Sequence, residues 1–401
     1  MRRIIIISIL LISYLGSQAQ VKVNLDWYNN HTYRLYQEKN WARLIELGDD
    51  AIKAGYDFYY LRMRLGIAFY DQDKFRKAIS HFEHALKFNK NPLAAEYLYY
   101  AYKLSGREMD ANLVYAKYKD QLRSRDISSP YGFISGVYTE TGIKFLSPSN
   151  LDYGPLLYFH AGAEQQLGSR LKLYQGYMRY SQNIFQYESV PGFGSGGVTT
   201  VKTKRKYIQN EYFLKGTIPI IKGIQLLGSL HTQRVIDTIQ YNNISYMGGI
   251  STNLKFMDLA ITYGISHINA IQYDQVSAGA TFYPVMNRNF YLQSILTYHK
   301  DEAVSNIIFY QKIGLRTAEN AWFEFYGSFG DMKNVQELDG FYLYNINNEL
   351  NTRIGITANF LLGKKAKLLI GYTNESYKEL DSGLPFHQNY LFTGLQILFK
   401  N

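Results

Sequence analysis

The sequence predicts two parts: all-α helical repeats, followed by an antiparallel transmembrane β-barrel. Three observations lead to this prediction. A short apolar leader opens the chain, helical periodicity then runs to about residue 125, and residues 131–401 alternate between apolar and polar side chains. The alternating part has an apolar face rich in aromatic residues and contains no long apolar run, which is typical of membrane-spanning strands rather than membrane-spanning helices.

Residues 1–19 have the organisation of a cleavable signal peptide. Arg2 and Arg3 form a basic start, residues 4–15 are apolar, and Ser17 and Ala19 place small residues at the two positions that a signal peptidase reads. The apolar stretch is too short for a stable helical anchor. We therefore expect cleavage after Ala19 and export of the chain, with an uncleaved anchor as the alternative.

The composition narrows the class of protein. The chain has no cysteine, which excludes disulfides, thiol catalysis and a lipid-modified N-terminal cysteine. Tyrosine, phenylalanine and tryptophan make up 16% of the residues, as expected where aromatic girdles lie at two membrane interfaces. The net charge is +10, but no basic helix carries interleaved aromatics, so we expect anionic lipid or an acidic polymer rather than nucleic acid as partner.

Residues 20–125 carry a helical repeat pattern. Gly66 stands on one helix, and Ala78 and Phe82 stand on the next, so that small residues allow close approach and a large ring fills the remaining gap. This pattern resembles the tetratricopeptide repeat. The same pattern recurs about 34 residues before this pair of helices and about 33 residues after it. The sequence therefore predicts three helical hairpins. In the first hairpin, Gly48 replaces the large aromatic residue.

A short helical-repeat domain usually binds another chain on its concave face. Five tyrosines are candidates for that face, and the alternative is that they fill the interior of the domain. These are Tyr28, Tyr33, Tyr97, Tyr99 and Tyr100.

Residues 126–130 form a predicted linker, and residues 131–401 form the predicted barrel. On one strand Phe323 and Phe325 alternate with Glu324 and Tyr326, so one face suits lipid and the other suits a polar lumen. Short turns on one side and longer connections at about 142–153, 187–203, 331–340 and 379–385 on the other predict about 14 strands, with 12 or 16 as alternatives. An even number places both ends of the barrel in the periplasm.

The last strand resembles the signal by which outer-membrane assembly machinery recognises its barrels. Its pattern is carried by Gly394, Ile397 and Phe399, although Phe392 stands where a polar residue is expected and two residues follow the final aromatic. The order of leader, repeats and barrel resembles outer-membrane proteins of Gram-negative bacteria with a periplasmic tetratricopeptide domain, of the YaiO-like type. The resemblance implies an outer-membrane barrel in contact with lipid and lipopolysaccharide, and a periplasmic N-terminal domain.

A basic segment follows the glycine-rich residues 191–197. Lys202, Lys204, Arg205 and Lys206 are candidates for contact with lipopolysaccharide phosphates, and a solvated mobile loop is the alternative. The glycine-rich stretch is not a phosphate cradle, because no helix follows it.

Seven ionisable residues are predicted to face the lumen, either to select solutes or to form the interior network of a plugged barrel. They are Glu164, Glu211, Lys215, His231, Lys312, Glu324 and Arg353.

No catalytic or cofactor-binding residue stands out, and no metal site is expected. The run from Tyr298 to Glu302 contains an imidazole and two carboxylates, but adjacent residues of a strand point to opposite faces. The five histidines of the barrel show no spacing that indicates a catalytic dyad.

The sequence leads to two hypotheses for function. The first is a non-enzymatic barrel whose periplasmic repeats dock a periplasmic or outer-membrane protein, as an adaptor of an assembly, secretion or uptake machine. The second is an outer-membrane channel for a polymer or solute, for example an acidic polysaccharide.

Overall fold

A computed structural model describes residues 24–123, 127–147, 153–191, 198–237, 240–301, 303–346, 348–363, 365–380 and 382–399. The predicted signal peptide and its cleavage site lie outside the described residues. The chain divides into two compact units: one contains the helices up to Tyr97 except Lys74–Arg76, and the other contains Lys74–Arg76 and the chain from Leu98 onward.

Residues 24–123 form six helices, in agreement with the three predicted hairpins. They are α1 (Leu25–Gln37), α2 (Trp41–Lys53), α3 (Tyr59–Tyr70), α4 (Phe75–Phe88), α5 (Pro92–Leu104) and α6 (Glu108–Arg123). The side chain of Asn24 caps α1 by accepting a hydrogen bond from the backbone N–H of Trp27 at 2.9 Å. Among the described residues, no helix has both the length and the apolar character needed to cross a bilayer.

Glycines set the helix spacing in the first unit. A Cβ atom added to Gly66 in α3 would lie 2.5 Å from the ring of Phe82 in α4, and one added to Gly48 in α2 would lie 2.6 Å from Leu65. Phe82 and Leu65 are fully buried. The close approach predicted at Gly66 and Phe82 is therefore present, while the assignment to the tetratricopeptide family stays a prediction.

Fourteen strands of the described chain close into one antiparallel barrel, as predicted, because the last strand pairs with the first. The barrel strands are β1 (Gly132–Ser147), β2 (Leu156–Leu167), β3 (Leu171–Pro191), β4 (Val198–Ile221), β5 (Ile224–Ile236), β6 (Gln240–Asn253), β7 (Met257–Ile268), β8 (Ile271–Phe282), β9 (Phe290–Lys300), β10 (Ser305–Ala318), β11 (Ala321–Phe329), β14 (Glu349–Leu362), β15 (Ala366–Lys378) and β16 (Pro385–Leu398). Two short strands, β12 (Gln336–Glu337) and β13 (Tyr342–Leu343), pair only with each other.

The predicted alternation of faces is confirmed. Phe325 and Ile354 point outward and are 48% and 54% exposed, whereas Ser328 and Arg353 on the same strands are buried inside. Closure satisfies the backbone hydrogen bonds of every neighbouring pair of strands, which is the requirement for crossing a bilayer with strands.

Three strands, β1, β3 and β4, are longer than the alternation predicted, and β1 runs to Ser147 in the predicted 142–153 connection. The hairpin of β3 and β4 continues in register to Pro191 and Val198, through part of the predicted 187–203 connection. In that part Tyr187 pairs with Lys202 and Ser189 pairs with Thr200, and this mostly polar sequence looked like a loop. Backbone pairing between two strands does not need an apolar face, and the ribbon therefore continues.

Candidate functional site: the barrel lumen and the segment inside it

The connection between β11 and β14 lies inside the barrel. We call residues 330–346 the lumen segment; its centre is the β12–β13 hairpin, in which Gln336 pairs with Leu343. Leu338, Asp339 and Gly340 have φ values of 51°, 60° and 84°, so three consecutive left-handed residues make the tight turn. The sequence had predicted that 331–340 form an outer loop, but these residues lie inside the barrel. They lie there because polar groups of the barrel wall bind them.

Two ion pairs join the lumen segment to the wall. Arg353 Nη1 lies 2.5 Å from Glu337 Oε2, and both side chains are about nine-tenths buried. Lys215 Nζ lies 2.6 Å from Asp339 Oδ2. Glu337 also accepts a hydrogen bond from Ser328 Oγ at 2.7 Å, so a buried carboxylate is neutralised and its lone pairs are used.

Wall side chains also bind the main chain of the lumen segment. Gln275 donates to the carbonyl of Gln336 at 2.7 Å and accepts from its N–H at 3.0 Å. Three side chains of β5 hydrogen-bond to further carbonyls of the segment. Ser229 binds the carbonyl of Asp339 at 2.7 Å, His231 that of Gly340 at 2.8 Å, and Gln233 that of Leu343 at 2.6 Å. These inward residues belong to β5 and β8, so the hairpin is held from several sides.

Aromatic residues fill one side of the lumen. The ring of Phe341 lies 5.3 Å from Phe213, 5.4 Å from His160 and 6.3 Å from Tyr174, measured between ring centroids. Large rings in edge-to-face contact leave little room for water. The side formed by β2–β4 is therefore packed against the lumen segment.

The opposite wall is formed by β6–β10, and cavities remain beside the lumen segment on both sides. A cavity of about 50 Å³ lies between this wall and Val335–Asp339, and its polar lining includes Thr262, Ser277 and Thr297. A second cavity, of about 470 Å³, lies near the short-turn end and is lined by Glu164, Lys172, Lys215, Phe341 and other residues of the second unit.

The start of α6 lies at that same end within the second unit. Asp110 accepts hydrogen bonds from Arg107 at 2.8 Å and from the backbone N–H of Gly223, in the β4–β5 turn, at 2.9 Å. Lys172 Nζ lies 2.7 Å from Glu108 Oε2, and the ammonium charge lowers the pKa of the Glu108 carboxyl.

The seven predicted lumen charges all face inward, and each has an oppositely charged or ionisable partner. The pairs are Glu164–Lys172, Glu211–His231, Lys215–Asp339, Lys312–Glu324 and Arg353–Glu337. Interlocked opposite charges are the arrangement expected for a filled lumen, and a ring of like charge is the arrangement expected for an open ion-selective pore.

The five candidate tyrosines of the helices divide into two groups. Tyr28 and Tyr99 are 8% and 2% exposed, which favours packing over partner binding for these two. Tyr97 stacks on Phe82 with centroids 5.1 Å apart. Tyr33 and Tyr100 are exposed at 47% and 36%, and partner binding stays a prediction for them.

The candidate lipopolysaccharide contacts lie on β4 rather than on a loop. Lys202, Lys204 and Lys206 are exposed, and Lys202 Nζ lies 4.1 Å from the ring centre of Phe185 on β3. Arg205 forms an ion pair with Asp237 at 3.1 Å. Their binding of lipopolysaccharide stays a prediction.

The predicted assembly signal lies on the strand that closes the barrel. Gly394 pairs with Glu140 of β1, and Ile397 pairs with Val137. The side chains of Ile397 and Phe399 are 37% and 48% exposed on the outer face. Recognition by assembly machinery stays a prediction.

The run from Tyr298 to Asp301 diverges as expected. Tyr298 is exposed, whereas His299 is buried and stacks on Tyr273 with centroids 5.2 Å apart. Asp301 instead accepts hydrogen bonds from the backbone N–H groups of the β9–β10 turn, which lowers its pKa. In the described ranges, no three His, Asp or Glu side chains come together as a possible metal site.

Gln336, Glu337 and Asp339 were not among the site residues predicted from the sequence. A signal was present in the run of residues 341–344, Phe-Tyr-Leu-Tyr, which is too apolar for an ordinary exposed loop. Its partners on the wall are distant in sequence, so only the closed barrel brings them together.

Comparisons with known proteins give no family for this chain: no family model matches it, and no curated protein does. Several solved barrels resemble it weakly. The Pseudomonas putida toluene transporter TodX has a TM-score of 0.46 and 6% identity over 66% of this chain and 89% of that one. The monoaromatic hydrocarbon channel CymD has a TM-score of 0.44 and 10% identity over 67% of this chain and 90% of that one.

A bacterial polysaccharide outer-membrane secretin has a TM-score of 0.39 and 10% identity over 67% of this chain and 100% of that one. Likeness at this level carries no argument about cargo. The class of protein follows from the strand pairing and faces of the molecule itself: a closed, 14-stranded antiparallel barrel of the outer-membrane type, with an apolar exterior and a filled polar interior.

Proposed function

We propose that this protein is a non-enzymatic outer-membrane channel that is held closed by its lumen segment and conducts when that segment moves. The observation that carries the proposal is the nature of the contacts between segment and wall. They include two ion pairs and a set of hydrogen bonds, in which water can replace the protein partner, beside apolar contacts of Val335, Phe341 and Leu343. Such hydrogen bonds contribute only about 0.5–1.5 kcal/mol net each, so displacement of the segment does not require the barrel to unfold.

The apolar exterior and the predicted leader support location in the outer membrane, with the helical domain in the periplasm. An even strand number puts both ends of the barrel on the same side. The paired lumen charges give no excess of positive charge, so they do not favour an acidic polysaccharide over other cargo.

Single-channel recording in planar bilayers tests the proposal with two variants. In the first, residues 333–345 are replaced by a short Gly-Ser linker. In the second, Ser229 and Gly340 are both replaced by Cys: a Cβ on Gly340 would lie 2.9 Å from Ser229 Oγ, and the native chain has no competing cysteine. Both single-cysteine variants serve as controls for strain at Gly340.

We expect rare openings of the native protein, sustained conductance of the shortened variant, and loss of openings in the oxidised double-cysteine variant that reduction restores. A shortened variant that folds and inserts but passes no current would contradict the channel proposal.

A second function is favoured by one feature of the helical unit. Tyr33 and Tyr60 are 47% and 62% exposed, and the guanidinium of Arg64 lies 5.1 Å and 5.9 Å from their ring centres. Exposed aromatic rings beside an arginine are common at protein interfaces. We propose that this surface docks a periplasmic or outer-membrane protein, so that the channel works as part of a larger assembly.

Cross-linking mass spectrometry on native membranes tests the docking proposal. A variant with Tyr33→Ala and Tyr60→Ala should lose cross-links between the helices and a specific protein, whereas the exposed control Phe88→Ala should keep them. Identical cross-links in all three proteins would contradict docking on this surface.

A further inference from the structure

We propose that the β6–β10 side of the lumen is the solute path, and that it binds an uncharged, hydroxyl-bearing solute of the sugar or polyol type. This inference rests on the proposed channel function and adds to it the position of the path and the class of solute. It starts from the cavity of about 50 Å³ between the lumen segment and this wall.

Gln336 supplies unused hydrogen-bonding groups at this cavity. The residue is 2% exposed and lines the cavity, and within the described residues neither its side-chain oxygen nor its side-chain nitrogen has a hydrogen-bond partner. A buried amide without partners costs about 1–3 kcal/mol. The amide is therefore available to bind a donor and an acceptor of a ligand, and a hydroxyl group is both.

Hydroxyl side chains lie across the cavity from that amide. Thr262, Ser277 and Thr297 come from β7, β8 and β9, and all three line the cavity. Ser277 and Thr297 share a hydrogen bond of 2.9 Å between their hydroxyl groups, and Gln275 donates to Ser277 at 3.1 Å. This is a continuous row of groups that can exchange hydrogen bonds with a hydroxylated solute.

The charges at the cavity are already neutralised. Glu337 and Asp339 belong to its lining, but Arg353 and Lys215 pair with them at 2.5 Å and 2.6 Å. An ionic solute would find no unpaired opposite charge here and would lose its hydration, which is costly. The site therefore favours an uncharged solute.

Apolar residues complete the lining. Met247, Ile308 and Tyr310 face the same space as the hydroxyl row. Sugars and polyols have hydroxyl edges and C–H faces, so one polar wall and one apolar wall fit them better than they fit an ion or a hydrocarbon.

The wall here carries glycines where it meets the lumen segment. Gly279 belongs to the cavity lining, and a Cβ on Gly264 would lie 2.8 Å from the Gln336 side-chain oxygen. A cavity of this size holds only a few waters, because one water needs about 10–15 Å³. A sugar therefore enters only when the lumen segment shifts away from this wall.

Two threonines elsewhere on the wall provide matched controls. Thr357 and Thr373 are as buried as Thr262 and Thr297. Their hydroxyl groups contact residues that do not line the cavity: Thr357 donates to Glu324 at 3.2 Å, and Thr373 lies 2.6 Å from Tyr326 Oη. They lie on β14 and β15, away from the proposed path.

The test uses five single-cysteine variants of the full-length protein in liposomes: Thr262→Cys, Ser277→Cys, Thr297→Cys, Thr357→Cys and Thr373→Cys. Each variant reacts with a neutral, hydroxyl-bearing methanethiosulfonate in three conditions: without a competitor, with glucose and with gluconate. Mass spectrometry measures the rate of labelling. We expect labelling about tenfold faster at 262, 277 and 297 than at 357 and 373, which corresponds to ~1.4 kcal/mol in opening free energy. We also expect glucose to slow labelling at 262, 277 and 297 more than gluconate does.

Equal labelling at all five positions, or equal protection by glucose and gluconate, would overturn the inference. These outcomes are distinct from failure of the channel proposal, because labelling does not depend on current. The channel proposal fails if the shortened variant folds and inserts but does not conduct.

Discussion

Gly66 sets the distance between α3 and α4, because the ring of Phe82 occupies the place where a Cβ would stand. Both residues are buried in the helical unit, and Phe82 is 0% exposed. In such interiors one added methyl group forces neighbours away from their preferred rotamers.

Gly66→Ala should destabilise the helical unit by about 1–3 kcal/mol, because the new methyl group would overlap the Phe82 ring. Thermal unfolding of the full-length protein in detergent, followed by circular dichroism at 222 nm, measures the effect. The double variant Gly66→Ala with Phe82→Leu should recover part of the loss. Unchanged helix melting in Gly66→Ala would show that the helices move apart without cost.

Arg353 determines whether Glu337 can remain inside the barrel. The guanidinium forms an ion pair with that carboxylate at 2.5 Å, and both side chains are buried. Removal of one partner from a buried pair leaves an uncompensated charge, which costs about 3–5 kcal/mol.

Arg353→Met should therefore loosen the lumen segment, and hydrogen exchange of peptides from residues 330–346 should become faster. The double variant Arg353→Met with Glu337→Gln should recover slow exchange, because a neutral amide needs no counter-ion and can still accept from Ser328. If the single variant exchanges as slowly as the native protein, the ion pair does not hold the segment.

At the scale of elements, the start of α6 is joined to the barrel turns by buried polar contacts within one unit. Asp110 is 1% exposed and links Arg107 to the backbone N–H of Gly223. A charge-assisted bond to a backbone N–H is short and strong, and its loss leaves two buried donors without an acceptor.

Asp110→Ala should free the start of α6 and raise hydrogen exchange in residues 108–123 and in the β4–β5 turn. The strands β14–β16 should exchange as before. Asp120→Ala, at an exposed position of the same helix, is the matched control and should change neither region. Equal effects of the two variants would argue against a specific role of Asp110.

Elements differ in how far their sequences predict them. The barrel strands were predictable because a face exposed to lipid must be apolar at every second residue, as in Phe323 and Phe325. The lumen segment was not, since its hairpin has short strands and an irregular turn at Leu338–Gly340. Its conformation depends on side chains of β5, β8 and β14, and no local pattern encodes partners so distant in the chain.

At the scale of the whole molecule, barrel closure depends on an unbroken apolar exterior. Phe325 lies in the middle of β11, is 48% exposed, and pairs with Ile313 and Ile356 of the neighbouring strands. Its surroundings on the outer face are thus apolar on both sides.

Phe325→Arg should reduce insertion of the barrel into liposomes, since a charged side chain near the bilayer midplane costs about 2–4 kcal/mol. The fraction of protein that migrates as a folded barrel in unheated gel samples measures this, with Phe325→Leu as the apolar control. Insertion of the arginine variant at the native level would indicate that this face does not meet lipid.

The sequence by itself determined that this chain has a helical part and a strand-built barrel, and which residues of each strand face outward. These properties follow from local periodicity, since lipid and water act on every residue according to its face. The tertiary structure alone decided that the lumen is filled, that its charges are paired, and that polar cavities remain beside the lumen segment. Those properties depend on contacts between residues far apart in sequence, such as Lys215 with Asp339 and Arg353 with Glu337, which form only after the sheet closes.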